Sequence, residues 1–269
     1  MNRRLKTILF SLRRRTLRGS ARDWLFNVFS PKCTTLARKK IETLTLKDGF
    51  YQLKIRGVDD VLYVSEQANI HSLYQTITEQ MYSRAWHFYE VPETEVKDDV
   101  VIDAGCAEGI FPYLCKGRAR QIYAFEPLPV FLDGLNKTFG NIPNVHIVSA
   151  ALGSQCADAY LESNGISSYI TDRETPTKVK MLTIDQFCSE NGVIPTYLKA
   201  DLEGYELELL NGAQSVIQRF KPKIAITTYH RPEHADAIKN KLACWNPSYQ
   251  FRIKGIESVA GAPIMLHAW

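Results

Sequence analysis

"VVIDAGCAEG", Val100 to Gly109, is an apolar run that ends in an acid and then passes through two glycines. A near-continuous apolar run is what a parallel strand covered on both faces requires. The acid and the glycines then fall in the turn before "GIFPYLCKG", a candidate first helix. In an open wound sheet such a turn lies outside the carboxyl end of the strand, where ligands bind. Gly105 can take a positive φ and, without a side chain, lets the backbone come up against a bulky ligand.

Outward from this stretch the same texture repeats. "QIYAFEP", "VHIVSAAL", "TYLKADLEG" and "PKIAITTYH" are further candidate strands, separated by helical stretches. Regular alternation of strand and helix predicts a doubly wound, mostly parallel α/β sheet from residue 98 to residue 269. The closing segment "SYQFRIKGIESVAGAPIMLHAW" alternates well enough to supply the last two strands, which puts Trp269 at the sheet edge or at an interface.

Before residue 98 the pattern differs. Residues 1–40 read as a basic helical segment, in which "SARDWLFNVFSP" is a short helix capped by Ser20 and stopped before Pro31. In residues 41–97, "IETLTLKDGFYQLKIRGVDDVLYVSE" alternates apolar and polar residues around two turn signals, as a small antiparallel meander does. "NIHSLYQTITEQMYSRAWHFYEV" follows with helical spacing, Leu73, Ile77, Met81 and Trp86 falling roughly on one face until Pro92. No repeat or flexible linker intervenes, so this lead-in is expected to pack on the sheet.

The chain has 269 residues, 45% of them hydrophobic, enough for a full-sized core. Its six cysteines show no CxxC pair or regular spacing, so neither a zinc site nor a disulfide framework is indicated, and a reducing cytoplasm is the expected setting. Met1 to Arg22 holds eight basic residues and no acid; since the whole chain carries +4, the remainder carries −4. The apolar residues of this segment never run long enough for a signal-peptide core or a membrane span. A solvated or self-packed helix is the first expectation here, and peripheral contact of a basic amphipathic helix with an anionic membrane or polyanion the second. Nucleic acid is not an expected partner, because the basic run lacks interleaved aromatics and no reader motif follows it. Oligomeric state is not legible.

Two cofactor classes use this architecture. A dinucleotide site wants GxGxxG, with its middle glycine clearing the pyrophosphate at a helix amino end. Here Cys106 and Ala107 occupy the tightest approach, and Glu108 would repel a phosphate. That disfavours an NAD(P)-dependent oxidoreductase. An acid just before the loop, Asp103, suits a cofactor with positive charge, such as the ammonium and sulfonium of S-adenosyl-L-methionine. Glu126, at the end of the next strand, can accept hydrogen bonds from both hydroxyls of a ribose.

"VVIDAGCAEG", "YAFEP", "VSAALG", "GISSYI", "MLTIDQF" and especially "YLKADLEGYELELLNGA" resemble the FkbM-type family of class I S-adenosylmethionine-dependent methyltransferases, over roughly residues 100–229. The resemblance implies a seven-stranded class I (Rossmann-like) sheet and methyl transfer, usually to an oxygen of a sugar, glycan or other small metabolite. It implies that Asp103, Gly105 and Gly109 line the methionine part of the cofactor and that Glu126 holds the ribose. The Ser149–Leu152 segment would border the adenine through backbone around Ala150 and Ala151, and Asp201 would sit beside the reactive methyl. Tyr229-His230 departs from the family, many of whose members carry an acid and then a histidine there.

Methyl transfer from a sulfonium is an in-line displacement, so the protein must chiefly align acceptor, methyl and sulfur. For a hydroxyl acceptor a base adds to this, and Asp201, Glu203 and His230 are the candidates at the ends of the fourth and fifth strands. Asp201 ranks first for proximity to the cofactor and His230 for proton removal, since histidine titrates nearest neutrality. The same trio offers a site for a divalent cation, but nothing in the spacing demands a metal. "HRPEH" lacks the HExxH order of a zinc site. Ser167 and Ser168, in the polar segment "SNGISSYITDRETP", either face the acceptor or belong to a surface hairpin. The alternative to an enzyme is a non-catalytic scaffold that keeps the fold.

Overall fold

The computed structural model describes residues 3–14, 20–162, 169–171 and 173–269. Ser167 and Ser168, like Arg15 and Arg18, lie outside the described residues.

The lead-in opens with α1 (Arg3–Arg14), α2 (Ala21–Phe29) and α3 (Cys33–Lys40). Ser20 caps α2 as its sequence predicts: the Asp23 N–H donates to Ser20 Oγ (3.1 Å) and the Ser20 N–H donates to Asp23 Oδ2 (3.2 Å), satisfying two donors the helix leaves free. The meander follows as β1 (Ile41–Lys47), β2 (Phe50–Ile55) and β3 (Leu62–Ser65), paired antiparallel in that order. Next comes α4 (Ile70–Met81), shorter than its apolar spacing predicts, because the chain turns extended at Tyr82. Asn27 of α2 takes over the freed backbone, its Nδ2 donating to Arg84 O (2.7 Å) and its Oδ1 accepting from the Trp86 N–H (3.2 Å). Trp86 is buried, but in a turn rather than on the helix face.

The wound part comprises β4 (Val100–Ala104), α5 (Ile110–Cys115), β5 (Gln121–Phe125), α6 (Pro129–Phe139), β6 (Val145–Val148), β7 (Ala151–Leu152), β8 (Ala157–Glu162), β9 (Tyr169–Thr171), β10 (Thr177–Leu182), α7 (Ile184–Asn191), β11 (Tyr197–Ala200), α8 (Glu206–Asn211), α9 (Gln214–Phe220), β12 (Lys223–Thr227), α10 (His234–Trp245), β13 (Phe251–Lys254) and β14 (Met265–Ala268). Seven of these strands form one sheet in the order β6-β5-β4-β11-β12-β14-β13. It is parallel except for β14, which runs antiparallel to both neighbours. Trp269 therefore follows an interior strand, not an edge: its N–H and C=O bond back to Gln250 at 3.1 and 2.9 Å. A second, four-stranded sheet, β7-β10-β8-β9, stands beside the first; β8 pairs antiparallel with β9 and β10, across the segment for which a surface hairpin was one of the two expectations.

Alternation along the central strands assigns them two faces. Val101, Ile122 and Tyr197 join the lead-in core with Leu53, Ile55 and Leu62. Ile102, Leu198 and Ile224 join the core under α7 to α10. The meander is fastened to α6: the Tyr63 N–H donates to Thr138 Oγ1 (2.9 Å), and a Cβ on Gly134 would stand 2.4 Å from Tyr63 O. Only glycine allows that approach. Gly134→Val is expected to cost about 1–3 kcal/mol or more through overpacking, read as a lower urea midpoint; an unchanged midpoint would show that α6 does not need to sit this close to β3.

Candidate active site

Strand order reverses between β4 and β11, and the loops that leave those strands face each other there. Gly105 has φ +74°, and a Cβ on it would lie 2.3 Å from Asp201 O. The glycine thus clears the backbone after β11 first, while it lines the cleft above. Gly109, φ +79°, opens α5; a Cβ there would meet Leu135 Cδ2 at 2.6 Å and Phe139 Cε2 at 2.9 Å. Its space serves packing on α6, and it is absent from the cleft wall.

Asp103 is also away from the wall. It is fully buried beside its register partner Lys199, whose Nζ stands 2.9 Å from Asp103 Oδ1. Burial works against the Lys199 charge, but Asp103 and Asp201 outweigh it and hold the ammonium above its ordinary value. Lys199 Nζ also donates to Gly105 O (2.5 Å). Asp103 is therefore spent on an internal cation, contrary to the expectation that it faces one on a ligand.

Two adjoining cavities share Gly105, Ala107, Phe131, Asp201 and Glu203. The first is walled by Phe125, Ala150, Ala151, Leu152 and Ile170, with Glu126 as its acid. The Ala107 and Leu128 N–H groups each donate to one Glu126 oxygen at 2.9 Å. Each oxygen keeps an acceptor position. Burial raises this carboxyl to about 7, against the pull of those two hydrogen bonds. The second cavity runs beneath α4, past Ser72, Thr76 and Glu79, to Tyr89, Glu108 and Tyr229. Glu108 is buried, its Oε1 has no hydrogen-bond partner, and burial pushes its carboxyl up.

Asp201 stands where the cavities meet. Tyr89 Oη donates to its Oδ2 at 2.6 Å, and Thr227 Oγ1 lies 3.1 Å from its Oδ1. Behind it is a buried hub, Glu206. Its Oε1 accepts from the Leu202 and Gly204 N–H groups at 3.1 and 3.3 Å and pairs with His230 Nδ1 at 2.9 Å, while its Oε2 lies 3.2 Å from His234 Nδ1. Burial opposes the Glu206 charge, yet the two histidines hold the carboxyl well below its ordinary range. His230 Nε2 lies 3.3 Å from Glu203 Oε2 and 3.8 Å from Asp201 Oδ1. Burial would lower the His230 pKa, but Glu203, Glu206 and Asp201 raise it to about 10.

His230 is thus an imidazolium at neutral pH, and the expectation that it removes a proton does not fit this surrounding. Asp201, Glu206 and His230 offer one ligand atom each within 4.8 Å of one another, with Glu206 rather than Glu203 as the third member. Sequence reasoning missed Lys199, Tyr89 and Glu206 as parts of the site, and used Glu108 only to reject a phosphate. Lys199 and Glu108 left a signal, as charges inside otherwise apolar strand and turn sequence; Glu206 looked like any acid in the first turn of a helix.

A group whose pKa is higher folded than unfolded stabilises the fold below the unfolded value and loses that effect as pH rises through the folded one. For His230 the window runs from about 6.5 to about 10. The thermal midpoint of the parent is expected to fall towards that of His230→Gln across this window; parallel curves would mean that the imidazolium contributes nothing.

The Methyltransferase FkbM domain matches residues 103–253, more than half of the chain. A hexuronic acid methyltransferase, AglP, of Haloferax volcanii is 30% identical over 132 residues, covering 47% of this chain and 54% of that protein. The chain thus spans about half the length of this curated relative. The crystal structure of a methyltransferase FkbM from Methylobacillus flagellatus KT is similar in fold (TM-score 0.53, 19% identity, 77% of this chain and 56% of that one). Among the described residues no helix is long and apolar enough to cross a membrane. With its seven-stranded sheet of class I order and a domain match across the carboxyl ends of β4, β5, β11 and β12, the chain belongs to the FkbM family of class I methyltransferases.

Proposed function

We propose that the chain is an S-adenosyl-L-methionine-dependent O-methyltransferase acting on a hydroxyl of a sugar, glycan or other small metabolite. One observation carries this reading: an apolar cavity bearing a ribose-type carboxylate, Glu126, opens at Asp201 into a polar one lined by Glu108, whose buried Oε1 has no hydrogen-bond partner. The residues fit the cofactor. Glu126 has an acceptor position left on each oxygen for two hydroxyls, Ala150 and Ala151 offer a flat apolar border to a base, and Glu108 supplies the negative partner for an ammonium that Asp103 does not.

When bound, the cofactor supplies an activated methyl on a cationic sulfur. The chain does the rest. Gly105 and Ala107 hold the loop over the junction, clamped by Glu126 from one side and Lys199 from the other. Asp201, held by Tyr89 with Thr227 beside it, would accept a hydrogen bond from the acceptor hydroxyl, turn a lone pair of that oxygen towards the junction, and take the hydroxyl proton. Glu203 and His230 hold the Asp201 side of the cleft in place. Such orientation, with removal of the proton, accounts for catalysis of this kind without a further chemical group on the protein.

A sugar acceptor is supported by the relative that acts on a hexuronic acid. The polar cavity differs from what a uronate anion would need: Glu79, Glu108, Asp201 and Glu203 line it, and its lysine, Lys199, is already paired with Asp103. A neutral hydroxylated acceptor avoids that repulsion.

Binding of S-adenosylhomocysteine, measured by calorimetry, should tighten as pH rises through about 7 and Glu126 ionises. Glu126→Gln should bind more weakly and lose that dependence; a wild-type profile in the variant would take Glu126 out of the site. With radiolabelled donor, turnover should be higher on neutral glycosides than on the matching uronosides, and Asp201→Asn should lower it by about 10²- to 10⁴-fold with a much smaller change in cofactor affinity. Equal turnover by the variant would remove Asp201 from the proton's path.

A further inference from the structure

The first helix is amphipathic in an unusual sense. Its inner face is polar and buried: Thr7 and Ser11 are 5% and 6% exposed, Ser11 Oγ donates to Thr7 O (2.8 Å), and Trp24 Nε1 of α2 donates to Ser11 Oγ (2.8 Å). Phe10 closes the contact against Gly261, where a Cβ would come within 2.7 Å of its ring. These contacts fix which side of α1 faces the body.

The outward side is apolar. Leu5, Leu9 and Leu12 are 48%, 36% and 69% exposed, and on the neighbouring α2 Leu25 and Phe29 are 52% and 57% exposed. At about 100° per residue the three leucines share one stripe, with Lys6 about 100° to one side of Leu5. An apolar stripe on a segment whose sequence holds eight basic residues and no acid is complementary to an anionic bilayer, which takes leucines at acyl depth and cations at headgroup level. A purely polyanionic partner would use the cations and leave the leucines in water.

We propose that α1 and the adjoining end of α2 form a docking face for the surface of an anionic membrane. The opposite, inner side of α1 borders a trough that meets the cleft. The trough between α2, α3 and α4 that Thr7 borders shares Gln75 and Glu79 with the cavity that reaches Asp201.

The test is flotation of the full chain with vesicles of phosphatidylcholine alone and of phosphatidylcholine mixed with phosphatidylglycerol. The chain should float with the mixed vesicles only, and release as salt is raised. The triple change Leu5→Ser, Leu9→Ser, Leu12→Ser should cut partition by about tenfold or more while leaving the thermal midpoint in place, since all three side chains face outward. Should that variant fail to fold, Arg4→Gln, Lys6→Gln, Arg13→Gln should give a comparable loss. No flotation with the mixed vesicles, full flotation of both variants, or a dimer in light scattering that the leucine changes dissolve would overturn the proposal; in the last case a second copy of the chain covers the stripe.

Discussion

The buried pair between Asp103 and Lys199 is the constraint around which the cleft is arranged. Removing two charges from water costs several kcal/mol per ion, and mutual attraction repays this only when further hydrogen bonds satisfy what remains. Here the two residues are direct register partners on adjacent parallel strands, so their side chains leave the sheet together on the same face. Lys199 then donates onward to Gly105 O, which ties the first residue of the loop after β4 to the strand that crosses back from the other side of the sheet. A neutral residue at either position would leave the other charge buried without a partner. The pair thus fixes the loop at the cost of its own charge, and the acids that face the cleft must come from elsewhere.

They come from the loop itself, from the chain after β5 and β11, and from α4. The loop is held at Ala107, in a left-handed conformation at φ +46°, by the Glu126 carboxylate. The same carboxylate takes the Leu128 N–H, so one side chain sets the position of two backbone segments and still lines the cavity. On the opposite side Glu203 also has a left-handed backbone (φ +52°), followed by Gly204 at φ +102°. Such a turn is strained for a glutamate. Glu206 offsets that strain by accepting from the Leu202 and Gly204 N–H groups and by pairing with both His230 and His234.

The parts legible in the sequence are those with a local physical signature. Apolar runs gave β4, β5, β6, β11 and β12, Ser20 and Asp23 gave the start of α2, and alternation gave the meander. The short sheet of β7 to β10 was not legible, because β8 and β10 are half polar and acquire their pairing only across the chain. The end of α4 was misjudged for the same kind of reason: Asn27, more than fifty residues away, supplies the hydrogen bonds that let the helix stop. In the site, residue types and strand ends located Glu126 and Asp201, whereas the neutralisation of Asp103 depends on which strand lies alongside β4. His230 illustrates the limit most sharply, since its chemistry is set by three carboxylates whose convergence no spacing reveals.

The placing of His230 also bears on which carboxylate remains free to act. Its two ring nitrogens are not shared equally: Nδ1 is 2.9 Å from Glu206, whereas Nε2 is 3.3 Å from Glu203 and 3.8 Å from Asp201. The positive charge is therefore taken up first by the acid with no access to the cleft, next by Glu203, and least by Asp201. Asp201 is instead held by the Tyr89 hydroxyl at 2.6 Å, while the single Thr227 hydroxyl lies 3.1 Å from both Asp201 Oδ1 and Glu206 Oε1. If His230 stood closer to Asp201 than to Glu206, the acid at the junction of the two cavities would be the one held in an ion pair.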